Sequence, residues 1–82
     1  MEKIAGLYQE DGSFSWIERG LFDSELEAVR SLNELVAERK TGTGYAYPSI
    51  PKIKAIKVVR RGFNRSLDMW MDRDVLYYQE LK

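Results

Sequence analysis

The chain reads as an α+β domain: a small antiparallel sheet, with a ββαβ core plus a C-terminal β hairpin or helix, carrying one amphipathic helix on one face. Three observations predict this. Residues 22–40, FDSELEAVRSLNELVAERK, repeat apolar side chains at helical spacing; Asp11-Gly12 separates two segments rich in β-formers; and residues 53–61, IKAIKVVRR, are β-branched. Eighty-two residues make a single domain, 1–82. A chain of that size buries roughly 60–65% of its unfolded surface, which gives a stability of about 5 kcal/mol and room for one sheet under one helix.

The helix follows from its own residues. At 100° per residue, Ala28, Val29, Leu32, Leu35 and Val36 fall within one arc of about 120°, the width of a core-facing stripe. Glu27, Arg30, Ser31, Glu34 and Glu38 lie opposite. Asp23 or Ser24 can cap the first turn, and Ser24 with Glu27 fits a capping box. Lys40 suits the negative end of the helix dipole, and Gly42 suits a left-handed C′ position. The acidic ridge of Glu27, Glu34 and Glu38 reads as a solvated face, or else as a docking surface for a basic partner.

Before the helix, residues 3–9 and 13–19 read as a hairpin turning at Asp11-Gly12. A two-residue loop pairs Leu7 with Trp16 and Gln9 with Phe14; a three-residue loop brings Gly6 and Tyr8 to those places instead. Phe14 and Trp16 share a face and are expected in the core, and a ring such as Trp16 across from Gly6 would explain a glycine in mid-strand.

After the helix, residues 41–51 form a long connector with two glycines, two prolines and two tyrosines. Tyr45 and Tyr47 there are candidate partner contacts; the duller alternative folds them back with Ile50 over the core. The TGTG stretch is no phosphate loop, because no GK[ST] follows, and Pro48 to Pro51 matches PxxP only formally. Residues 53–61 alternate imperfectly, and a bulge near Ala55 would gather Ile53, Ile56 and Val58 on one face. Lying antiparallel beside the first strand, this segment gives a strand order 2-1-3.

Residues 62–65 read as a turn. The tail, 66–82, reads as two short strands around Asp72-Arg73-Asp74, with Leu67, Met69 and Met71 inward and Trp70 outward. The helical alternative aligns Leu67, Trp70, Met71, Tyr78 and Leu81.

Composition narrows the chemistry. Cysteine and histidine are both absent, which removes disulfides, thiolates, the commonest general base and the commonest metal ligand. Asp68, Asp72 and Asp74 lack the glycine and distal glutamate of a calcium loop, and no serine triad can form. No metal or cofactor is called for. No apolar run reaches the ~20 residues of a membrane helix and no signal core opens the chain, so a cytoplasmic protein without membrane contact is expected.

The formal net charge of zero hides an uneven layout. Residues 39–65 hold eight cations and no acid, whereas residues 1–38 hold nine acids against Lys3, Arg19 and Arg30. Such asymmetry points to an electrostatic partner, or to neutralisation across the fold.

At Phe22-Asp23-Ser24-Glu25-Leu26-Glu27-Ala28 followed by Ile53-Lys54-Ala55-Ile56-Lys57-Val58, the chain resembles small accessory proteins of phages and prophages. In those, a β-hairpin leads into an FD-x-E-x-E-A helix and then an I-K-x-I-K-V strand. The likeness covers residues 3–60 and carries over no functional residue. It implies a binder of host machinery, anti-CRISPR inhibitors being one such class.

The expectation is therefore a non-enzymatic interaction module that binds and modulates a host protein through Tyr45, Tyr47, Trp70 and Tyr77 beside a charged face. The alternative is nucleic-acid binding by Lys52, Lys54, Lys57, Arg60, Arg61 and Arg65. Homo-oligomerisation through a sheet edge is a further expectation.

Overall fold

The computed structural model describes residues 2–41 and 51–81. Its elements are β1 (Glu2–Glu10), β2 (Trp16–Phe22), α1 (Glu25–Thr41), β3 (Ile53–Asn64) and β4 (Met69–Glu80). The four strands form one antiparallel sheet in the order β2-β1-β3-β4, so the expected 2-1-3 order holds and β4 extends it. The helix packs on one face of this sheet. The other face has no helix among the described residues.

The local logic of α1 matches its sequence. Glu27 N–H donates to Ser24 Oγ at 3.2 Å, which makes Ser24 the N-cap, and Glu27 reaches back to accept from Asp23 N–H at 3.4 Å. Ala28, Leu32 and Leu35 are buried, and Val29 and Val36 flank them half-buried. Under them lie Ile53, Ile56 and Val58 of β3, with Ile4, Tyr8 and Phe22 at the margin. The register explains how three β3 residues of mixed parity share this face. Gln9 pairs with Ala55 and Glu10 with Ile53, so Lys54 is the extra residue of the expected bulge. Arg39 fastens the far end of α1: its Nη1 donates to Glu10 Oε2 at 2.9 Å and to the Pro51 carbonyl at 2.6 Å. Gly42, Tyr45 and Tyr47 lie outside the described residues, as do the TGTG and PxxP stretches apart from Thr41 and Pro51 at their ends.

Three expectations are corrected. The first hairpin is looser than Asp11-Gly12 alone implies. Gly12 takes φ 83° in a turn closed by Ser13 N–H on the Glu10 carbonyl, but pairing resumes only at Gln9 with Trp16. The second strand is therefore Trp16–Phe22 instead of 13–19, and Gly20-Leu21 belongs to it. Phe14 stays in the loop, 91% exposed, and not in the core. Gly6 faces Gly20 and not Trp16; the ring that needs its space is Phe22, whose Cε2 would lie 3.1 Å from any Cβ at residue 6.

The second correction is the turn at 62–65. Gly62, Phe63 and Asn64 continue β3, and the chain reverses at 65–68, where Asn64 Oδ1 accepts from Leu67 N–H and Asp68 takes φ 53°. Leu67 is accordingly exposed in the turn instead of inward.

The third concerns the tail, which is one twelve-residue strand and not two. Asp72-Arg73-Asp74 does not break pairing because β4 absorbs two extra residues as bulges, Arg73 and Leu76. Opposite charges on β3 hold this segment in register: Arg61 Nε donates to Asp72 Oδ1 at 2.7 Å and Arg60 Nη1 to Asp74 Oδ2 at 3.2 Å.

Candidate functional site

The face of the sheet away from α1 is the most differentiated surface of the fold. Strand alternation and the pairing register assign its residues. Lys3, Ala5 and Leu7 come from β1, Trp16 and Glu18 from β2, Lys57, Val59, Arg61 and Phe63 from β3, and Trp70, Asp72 and Tyr78 from β4. With no helix above them, Ala5, Leu7 and Val59 are nevertheless 0%, 3% and 1% exposed. Their cover comes from long side chains of the same sheet.

The strand order shows how. Trp16 stands on β2 and Tyr78 on β4, three strand spacings or ~14 Å apart. Their ring centroids are only 6.2 Å apart, edge to face. Both rings must lean inward over β1 and β3, where Leu7 and the small Ala55 give them room. Lys57, the register partner of Tyr78, places its ammonium 4.3 Å from the Trp16 ring centre. Arg61 makes the second span. To reach Glu18 on β2 it must cross β1, and it also holds Asp72 on β4. Burial weighs most against its charge, but the hydrogen bonds and attraction of Asp72 and Glu18 more than offset this, so the guanidinium is held above its ordinary pKa. At the end of the sheet Phe63 and Trp70 pack edge to face at 5.5 Å, with Lys3 Nζ 4.6 Å from the Trp70 ring.

Two ring pairs, each topped by a lysine, thus flank a neutralised arginine. The Tyr78 hydroxyl donates to Glu80 Oε1 at 3.1 Å, and this bond raises its pKa above the ordinary 10.0. The group stays neutral and a donor throughout the physiological range.

The sequence-derived residues scatter over this geometry. Trp70 lies on the open face, half-buried against Phe63. Tyr77 lies on the helix side, half-buried against the core, with its hydroxyl on Gln79. Of the basic set, Arg60 pairs with Glu2 and Asp74, and Arg61 with Glu18 and Asp72. Lys54 sits over the Phe14 ring at 4.9 Å and Lys57 over Trp16. Lys52 and Arg65 are exposed without an ion pair among the described residues. Trp16 and Tyr78 were not singled out by sequence reasoning as contact residues, because only the register puts them beside one another. Among the described residues no group of acids is arranged to hold a metal ion, and no helix is long and apolar enough to cross a membrane.

Comparison with family models, with curated proteins and with solved structures finds no match to this chain.

Proposed function

We propose that the chain is a non-enzymatic binding module, of the kind the phage accessory resemblance implies, that docks a host protein on the sheet face opposite α1 and modulates it. The observation that carries this reading is the pair of half-open ring clusters, Trp16–Tyr78 and Phe63–Trp70, set on one face of a four-stranded sheet with charges of both signs between them. Aromatic groups on a rigid base give large contact area at small entropic cost, which is the make-up of interface hot spots. Balanced charge fits a protein surface better than a polyanion.

Affinity capture from a candidate host, followed by mass spectrometry, tests it. The expected result is one specific protein, retained by a helix-face control such as Glu34→Gln and lost with Trp70→Ala or Tyr78→Ala. A catch that is indifferent to both ring variants while they remain folded refutes the assignment of the face.

One observation favours nucleic acid as a second reading: Lys52, Lys54, Lys57 and Arg65 have no carboxylate partner among the described residues. It requires affinity that falls steeply with salt and drops several-fold in Lys54→Glu. Arg60→Glu would matter less than the sequence implies, since two acids already neutralise Arg60.

A further inference from the structure

The open face carries more positive charge than its own carboxylates take up. Its acids are Glu18, Asp72 and Glu80. Arg61 holds the first two, and the third accepts the Tyr78 hydroxyl. Lys3 and Lys57 have no such partner. All thirteen acidic residues of the chain lie among the described residues, and none forms an ion pair with either lysine. Each ammonium rests instead against a ring: Lys3 Nζ lies 4.6 Å from the centre of Trp70, and Lys57 Nζ 4.3 Å from that of Trp16. An exposed contact of this kind is weak beside a charge-assisted hydrogen bond to a carboxylate, so little holds the two lysines back from one.

We infer, resting on the host-protein reading of this face, that the segment docked there is extended and acidic, with two carboxylates that draw Lys3 and Lys57 off their rings. The register sets the spacing. Lys3 pairs with Arg61, which lies four residues along β3 from Lys57 and one strand away, so the two lysines stand on the order of 14 Å apart at the backbone. An extended segment covers that distance in about four residues and, by alternation, presents both acids on one side. As each lysine turns to its carboxylate, the faces of Trp16 and Trp70 open to the apolar side chains that flank the acids. Between the lysines Arg61 is already satisfied by Glu18 and Asp72, so the face matches two separate negative charges and not a continuous row. A nucleic-acid backbone carries a charge at every nucleotide and would bring the middle ones against those two carboxylates.

Selection from a displayed library of random peptides on the immobilised, folded protein tests this. The expected winners carry two acidic residues four apart. A synthetic winner should bind ~3–5-fold more weakly to Lys3→Gln and to Lys57→Gln, and its affinity should fall as salt is added. Lys57→Arg should keep the affinity, which separates lost charge from lost packing, and Arg30→Gln on the exposed side of α1 should leave it unchanged. No selected peptide, winners without acids, indifference to both glutamine variants, or an equal loss in Arg30→Gln each overturn the inference. So does a single-stranded oligonucleotide bound as tightly as the peptide. Winners that lack acids but need Trp70 or Tyr78 sink the inference and leave the host-protein reading in place. Acidic winners that need both lysines, beside a host capture that returns no specific protein, do the reverse.

Discussion

Gly6 and Gly20 face each other across β1 and β2, and the same phenylalanine touches both. A methyl group added at each should nevertheless have opposite consequences. At Gly6 the new Cβ would lie 3.1 Å from Phe22 Cε2 and 3.5 Å from two atoms of Leu32. Leu32, on the sheet-facing side of α1, is fully buried and has no room to give, so the ring must move by a few tenths of an ångström. At Gly20 the nearest atoms are Phe22 Cζ at 3.5 Å and Cε2 at 3.7 Å, ordinary contacts. Neither glycine has a positive φ, so alanine fits both backbones. Replacing glycine in a strand restricts the unfolded chain and adds ~0.5–1 kcal/mol of stability. Overpacking subtracts ~1–3 kcal/mol, and only at Gly6. Gly6→Ala should therefore lose about 1 kcal/mol, a fall of ~4–8 °C in midpoint for a domain of this size, while Gly20→Ala should be unchanged or slightly more stable. Urea unfolding followed by tryptophan fluorescence measures both. In Phe22→Leu the difference between the two glycine variants should shrink. Equal midpoints for Gly6→Ala and wild type, or a larger loss at Gly20, would refute the packing argument.

Other outcomes follow from single contacts. Asp68→Gly should raise stability by ~0.5 kcal/mol, because a left-handed residue with a Cβ costs ~1–2 kcal/mol and glycine gives back part of that through chain entropy; Asp68→Val should lower it. Ser24→Ala removes the cap of α1 and should cost ~1 kcal/mol, read from the urea midpoint and from helical ellipticity. For Tyr78 the folded pKa is raised, so its bond to Glu80 contributes stability below the unfolded value near 10 and loses it as pH climbs through the folded value. Absorbance titration at high pH should show a late contribution from Tyr78, which disappears in Tyr78→Phe and titrates earlier in Glu80→Gln. Arg61→Met keeps the apolar cover over the second small core but frees Glu18 and Asp72, both near half exposed, so it should cost less than Arg61→Ala.

Where the sequence was legible, one residue's signal did not depend on a distant partner. The α1 stripe, the Ser24 cap and the Glu27 return are set by spacings within one turn, and they stand as read. The β3 bulge was legible for a similar reason, since Ile53, Ile56 and Val58 reach a common face only with one extra residue among them. Phe14 was misplaced because its alternation with Trp16 is real in the sequence but falls in a loop. The start of a strand is decided by the neighbour that supplies the ladder, and β1 offers its pairing to Trp16.

The open face lay further out of reach. Trp16 and Tyr78 are 62 residues apart in the chain, and Arg61 and Glu18 43 apart. Nothing in their local surroundings marks them as neighbours, and each alone is an ordinary amphipathic residue of a strand.

By itself the sequence determined that one helix would shelter one side of a thin antiparallel sheet, because periodicity, caps and turn residues act over a few positions. The tertiary structure alone decided what happens on the other side, because the antiparallel register and the two bulges of β4 choose which rings and charges stand within reach. Local free energies fix an element's type. Only the closure of long loops into a single register fixes which elements' side chains meet, and with them the surface this protein presents.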